Sequence, residues 1–338
     1  MNVILSSRLQ KTTVLIAGLV VLAVVMVASI LFGINRYSLT TAVEAYTQFS
    51  GSEEHLIITT SRMPRTLTAV AVGSSLAVAG VLLQALTRNP LASPSLIGVN
   101  AGAAAAIVTT IVVFGSQFPV SQMMWAGFIG AGVTALLVYG LASAGRGGMT
   151  PIKLTLSGAA VAAFASSVTS LFMLLQEKTM TEAFYWLVGS VEGRQLDHFF
   201  MIIPYLLVGW LGAMVLTGSL NLMVLGDDVA TGLGQKIILV KATALLLVVL
   251  LAGGSVALAG PIAFVGIIIP HLCRFLVGLD HRWLIPYSIV FGGAFLVCAD
   301  LLSRLVLMPM RLEVPVGVAT AMIGVAFIIP LVRGRAYA

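Results

Sequence analysis

Long apolar runs separated by short polar connections dominate this chain. Ten can be marked, near Thr12–Gly33, Thr66–Leu86, Ser95–Phe114, Gln122–Ala142, Leu154–Leu175, Phe199–Leu216, Ile237–Leu251, Pro261–Cys273, Trp283–Leu302 and Val316–Val332. Most approach the ~20 apolar residues that an α-helix needs to cross the hydrocarbon core of a bilayer. The pattern predicts an all-α polytopic membrane protein with about ten transmembrane helices. The eighth run is short and lies between Gly260-Pro261 and Pro270. A broken or tilted helix is expected there, with neighbouring protein satisfying the freed backbone groups. The first run exceeds the ~7–15-residue core of a signal peptide and reads as a retained span.

Composition narrows this picture. Of 338 residues, 59% are hydrophobic and only 9% charged, and the mean hydropathy is +1.08. Soluble domains carry about 25% charged residues, so a soluble enzyme, a nucleic-acid-binding domain and a disordered protein are excluded as readings of the whole. The net charge of +6 comes from scattered residues that form no basic stripe. An even number of spans puts both termini on one side. With the N-terminus inside, eleven of the eighteen Lys and Arg residues fall inside and seven outside, and nine of the twelve acids fall outside. That bias places both termini in the cytoplasm. Cys273 and Cys298 lie in apolar stretches without metal-type spacing, which argues against a disulfide framework or a zinc site.

The spans are rich in small residues at helical spacing, such as Ala69, Gly73, Ala77 and Gly80, then Gly98, Gly102 and Ala105, then Gly127 and Ala131. These let helix backbones approach closely where the bilayer supplies no hydrophobic drive. No span carries a carboxylate, lysine or arginine near its middle; Lys241, His271, Arg274 and Asp300 sit toward helix ends. Ion-driven carriers hold their coupling ion on buried ionisable groups, so the energy is expected to come from a partner protein. An ion-coupled secondary transporter stays the alternative, because backbone carbonyls can also bind sodium. An intramembrane enzyme would need more than Ser157, Ser166, Ser167 and Ser170, which have no histidine or aspartate in their stretch.

Four segments stand out. Arg62-Met63-Pro64-Arg65 precedes the second run. Pro64 suits a first helical turn, and two arginines there oppose both the helix dipole and the positive-inside bias. They read as an outward basic patch for an acidic partner or, alternatively, as lipid-headgroup anchors. Arg88-Asn89-Pro90-Leu91-Ala92-Ser93-Pro94 reads as an ordinary rigid inner loop. Leu220 to Gly234 is longer than packing needs. Gly226 and Asp227 can start a short helix there, with Asp227 and Asp228 complementing its dipole and Gly232 or Gly234 stopping it. Leu222, Met223, Val229 and Leu233 then offer apolar surface to a protein partner or to lipid. In the last third, Asp300 and Arg304 stand four apart and can pair on one helix face, and His271, without a second ligand at metal spacing, reads as structural.

Taken in order, RMPR, RNPLASP, Trp186-Leu187-Val188-Gly189-Ser190, LGDDVATGLG, GPIAFVG, PHLCR, GLDHR, ADLLSRL and EVPVG resemble the FecCD-type permeases, membrane subunits of ABC importers for ferric siderophores, haem and cobalamin. The resemblance runs from about Arg62 to Pro330; Ala263 and Val314 are conservative departures from it. It implies a single permease domain over 1–338 with the type II ABC importer fold, working as a two-subunit pore with an identical or related second permease. It also implies a cytoplasmic ABC ATPase dimer and an extracytoplasmic substrate-binding protein, in a prokaryotic cytoplasmic membrane. By the resemblance, Arg62, Arg65 and Arg304 dock the binding protein. A coupling segment at about 220–236, including Leu222, Gly226, Asp227, Asp228, Val229, Leu233 and Gly234, seats on the ATPase. The helices matching the fifth and tenth runs line the pathway, and a ferric siderophore is the default cargo. No GxxxxGK[ST] phosphate loop occurs in the chain, so ATP and Mg are expected on the partner ATPase, with no cofactor and no enzyme activity in this subunit.

Overall fold

The computed structural model describes residues 4–33, 35–115, 119–144, 149–175, 186–306 and 313–335. The apolar runs become helices in the expected order: α1 Arg8–Leu31, a short α2 Leu39–Thr47, α3 Glu53–Thr87, α4 Val99–Phe114, α5 Val120–Ser143, α6 Pro151–Leu175 and α7 Leu196–Val215. Two short helices follow, α8 Thr217–Met223 and α9 Asp227–Gly232. The set closes with α10 Ile237–Ala259, α11 Val265–Val277, α12 His281–Val306 and α13 Val316–Arg335. Seven of these are long and apolar enough to cross a membrane, and α4, α11 and α13 are shorter apolar helices. Together they account for all ten expected runs. Arg146, Lys178 and Arg311 of the charge count lie outside the described residues.

Burial orders the bundle. The apolar stretch of α3 is 89% buried and that of α1 only 11%, so α3 is the central post and α1 an outer stave. The small residues of α3 set how closely its neighbours approach. A Cβ on Gly73 would collide with the Gly292 carbonyl of α12, and one on Gly80 with the Gly266 carbonyl of α11. Both contacts are backbone on backbone, the geometry that small residues permit between membrane helices. Gly102 of α4 meets Thr134 and the Gly130 carbonyl of α5 in the same way.

The expected break is present. Helix α10 contains a π-turn at Val249–Gly253 and ends at Gly260, whose φ is +73°. Residues 261–264 are non-helical, and α11 starts after Phe264, which has a φ of +69°. Neighbouring elements satisfy the opened backbone. The Ser190 N–H donates to the Ala259 carbonyl (2.8 Å), the Gly317 N–H donates to the Gly189 carbonyl (3.0 Å), and Gln84 Nε2 donates to the Gly266 carbonyl (3.0 Å). The Phe264 ring lies directly against Gly324 of α13.

Two expectations are corrected. The second span does not begin at Pro64. Helix α3 starts at Glu53, where the Ser52 side chain accepts from the His55 N–H and Glu53 and Glu54 fill the first turn. It runs through a π-turn over Ile57–Arg62, with the Met63 N–H bonded to the Ile58 carbonyl. Proline has no N–H to give the turn behind it, and the widened turn falls just ahead of Pro64. The apolar count missed this stretch because Thr59, Thr60, Ser61 and Arg62 are polar. The second correction concerns Arg88–Pro94, read as an ordinary inner loop, which together with the turn after it packs into the bundle. Ala92, Pro94 and Ile97 are buried, the Ala92 carbonyl accepts from Gln84 Nε2 (3.1 Å), and the Leu96 carbonyl abuts Gly158 of α6.

Candidate functional site: a charged end and a clamped apolar end

The bundle presents two sites at opposite ends of α3. At the first, the π-turn brings Arg62 and Arg65 to the same end as the last turn of α12. Asp300 is wholly buried there and is shared by two guanidiniums. Arg65 reaches it through Nε (3.1 Å to both oxygens) and Nη2 (2.9 Å), and Arg304 through Nη2 (3.0 Å). Arg65 Nη1 also pairs with Glu313 at 2.6 Å. Arg304 continues to the Ser29 hydroxyl (2.8 Å) and carbonyl (3.2 Å) at the end of α1. Arg62 donates to the carbonyls of Ile30 (2.9 Å) and Asn35 (2.5 Å) and stacks over Tyr37 at 4.7 Å.

This changes what the three arginines are. The sequence reading exposed Arg62 and Arg65 at the positive end of a helix dipole. The structure instead places them well inside α3, with all three arginines less than 8% exposed. Buried charges persist when paired and hydrogen-bonded, and here they tie α1, α3, α12 and the 313–315 connection together. Arg65 and Arg304 meet carboxylates directly, and Glu192 stands close enough to interact with both. Arg62 meets no carboxylate at ion-pair distance among the described residues. The Asp300–Arg304 pair was legible from its spacing. Arg65 and Asp300 are 235 positions apart, and nothing local announces their meeting or the parts played by Glu313 and Ser29.

At the other end, Asp227 is clamped from both sides. Its Oδ1 accepts from Arg88 Nη2 at 2.6 Å and its Oδ2 from Lys241 Nζ at 2.7 Å. Arg88 terminates α3 in a left-handed turn (φ +49°), and Lys241 lies in the first turns of α10. Asp227 and Asp228 stand in the first turn of α9, as expected for its dipole, and Asp227 is in addition a tether fixing α9 to two spans, while Asp228 is exposed. The apolar surface is also redistributed. Met223 is buried and Leu222 half-buried, whereas Val224, Leu225, Val229 and Leu233 are 47–61% exposed. Gly226, with a φ of +118°, makes the turn between α8 and α9, and Gly234 (φ +83°) makes the one after it.

A second tether braces α8. Asn221 Nδ2 donates to Asp280 Oδ1 (2.7 Å), and its Oδ1 accepts from the His281 N–H (2.9 Å) and ring Nδ1 (2.8 Å). Burial alone would raise the Asp280 carboxyl. The Asn221 hydrogen bond, the Arg282 N–H and the charges of Arg282 and Lys11 outweigh it and hold the group below its ordinary 3.8. Among the described residues no group of three or more His, Cys, Asp or Glu residues could hold a metal ion.

Comparison with known proteins concerns the chain as a whole. A family model described as the FecCD transport family matches residues 21–334. The chain is 47% identical over 324 residues, 96% of each chain, to the Probable siderophore transport system permease protein YfiZ of Bacillus subtilis (strain 168). It is 38% identical over 321 residues, 95% of each, to the Ferric enterobactin transport system permease protein FepD of Escherichia coli (strain K12). Its fold superposes on a solved inward-facing ABC transporter described as of metal-chelate type, with a TM-score of 0.84 at 29% identity, covering 96% of this chain and 99% of that one.

Proposed function

We propose, since this chain belongs to the FecCD transport family, that it is the permease subunit of an importer that carries a ferric siderophore into the cytoplasm, with both of its own termini on that side. The cargo rests on relatives named for siderophore, enterobactin and citrate transport, and the orientation on the inner excess of basic residues. ATP hydrolysis falls to a cytoplasmic ATPase dimer, and a substrate-binding protein delivers cargo at the Arg65 end. The observation that carries this reading is the Asp227 end. Four large apolar side chains are exposed on a short segment held rigid by two ion pairs and an asparagine brace. An apolar knob fixed to three spans can pass a push from a partner into the bundle.

Helix α6 supports a second permease subunit. It exposes Ala163, Ser166, Ser167 and Ser170 alongside Phe164, a small and partly polar face better suited to a pathway or a second copy than to lipid. At the charged end, Arg62, which lacks a carboxylate partner among the described residues but is only 7% exposed, is the group an acidic surface would act on from just outside. Arg65 and Arg304 act beneath it as the frame that holds Arg62 and the end of α1 in place.

Leu233→Asp tests the Asp227 end. A charge placed in an apolar protein contact costs several kcal/mol, to order of magnitude. The variant should insert normally and lose its ATPase on purification. Co-purification and transport at wild-type levels would overturn the assignment.

A further inference from the structure

Beside the clamped segment, and sharing Arg88 and Val224 with it, lies a cavity of about 250 Å³ whose interior has no part in the proposed coupling. Arg88, Arg274, Gln84 and His281 supply its polar wall, Val224 and Leu279 its apolar rim, and no acidic residue lines it. Arg88 spends only Nη2 on Asp227 and the Met223 carbonyl, which leaves most of its five donors. Arg274 has no carboxylate at ion-pair distance among the described residues. Gln84 Nε2 is occupied by two carbonyls, and its buried Oε1 has no partner. His281 donates through Nδ1 to Asn221, so its Nε2 is an acceptor.

We propose that this cavity binds a phosphate group, carried by an anionic phospholipid headgroup or present as free phosphate. Guanidinium forks match the planar oxygen pairs of phosphate, and two of them here face one space without an internal counter-charge. The acceptor on His281 suits a ligand that also brings hydroxyls, as phosphoglycerol and hydrogen phosphate both do. A volume of about 250 Å³ is far more than the ~30 Å³ share of one water. Basic pockets between membrane helices on the cytoplasmic side are the setting in which anionic headgroups are held. Because Arg88 also clamps Asp227, a bound phosphate would steady α9 through a shared guanidinium.

The test uses the full-length chain, delipidated in a maltoside detergent, with Tm as the readout. Short-chain phosphatidylglycerol should raise Tm saturably, and a galactolipid without phosphate should not. Inorganic phosphate acting as well as phosphatidylglycerol assigns the site to free phosphate; phosphatidylglycerol acting alone assigns it to the headgroup. Arg274→Gln should weaken the effective probe at least tenfold, whereas Arg282→Gln, at an exposed position outside the cavity, should not. Should R274Q fail to fold, Ala85→Glu puts a carboxylate in the cavity wall and should abolish the shift with Arg274 intact. Protection of wild type by neither phosphate probe, equal protection by the galactolipid, or unchanged probe binding in R274Q or A85E would overturn the proposal. None of these readouts requires the ATPase, so they stand apart from the coupling assignment.

Discussion

At the scale of single residues, Asp300 decides the most. It is fully buried and is the shared counter-charge of Arg65 and Arg304. Asp300→Asn would keep the shape, leave Arg304 without a carboxylate partner among the described residues, and leave Arg65 with Glu313 alone. Breaking a buried pair in this way costs about 3–5 kcal/mol, so D300N should show a clear fall in Tm in detergent; an unchanged Tm would contradict the shared-counter-charge account. Arg62 makes the complementary case. Its hydrogen bonds go to backbone carbonyls, so Arg62→Gln can keep donors there while removing the charge. A charge just beneath a docking surface acts on a partner through its field, which changes association rate and is screened by salt. R62Q should therefore slow docking of the binding protein at low ionic strength and match wild type at high salt. Equal association rates at both would return Arg62 to a structural part. Arg65 and Arg304 are poor probes of docking, because replacing either also breaks the internal network. Their residue types and their end of the molecule were legible in the sequence, but their burial was not, since each partner arrives from a different helix.

At the scale of elements, the helix break and the braced segment belong together. Gly260-Pro261 announced the break, because proline removes a backbone donor and glycine permits the +73° φ, whereas Pro270 is carried inside α11. What seals it, the Trp186–Ser190 connection and Gly317, carries no local sign of that mechanical part. The α8 brace makes a pH prediction. Asp280 is held below its ordinary 3.8, so its contribution to stability is fully present above that value. It is lost as pH falls through the lowered one, because only the charged carboxylate is favoured in the folded state. Tm measured against pH should show wild type losing stability at the acid end of its range. Asp280→Asn should be less stable than wild type at neutral pH and converge on it in acid. A constant gap between the two curves would remove Asp280 as the source.

At the scale of the whole molecule, the ends of α3 separate two kinds of chemistry, a charged network and an apolar knob. The proposed orientation puts the knob in the cytoplasm. Single cysteines introduced at Ser50 and Leu279, both exposed and at opposite ends, test it in a background with Cys273 and Cys298 replaced. Position 50 should react with an impermeant reagent applied outside intact cells, and position 279 should react only after permeabilisation. The reverse labelling would invert the molecule and exchange the two docking surfaces.

Sequence alone determined the class of protein, the ten apolar helices, the break at Gly260 and the family resemblance. These follow from local quantities: run length against bilayer thickness, missing backbone donors, and short motifs in order. Tertiary structure decided the rest. It set α3 at the centre, because its glycines let two other backbones close on it at once. It turned residues 89–98 inward against Gln84 and Gly158, and it gave Asp227, in the first turn of α9 as expected, two ion pairs to other spans. It also buried the three arginines expected at the surface. Each outcome depends on groups tens to hundreds of positions apart, and a charge in an apolar bundle goes where its counter-charge is, which no local pattern records.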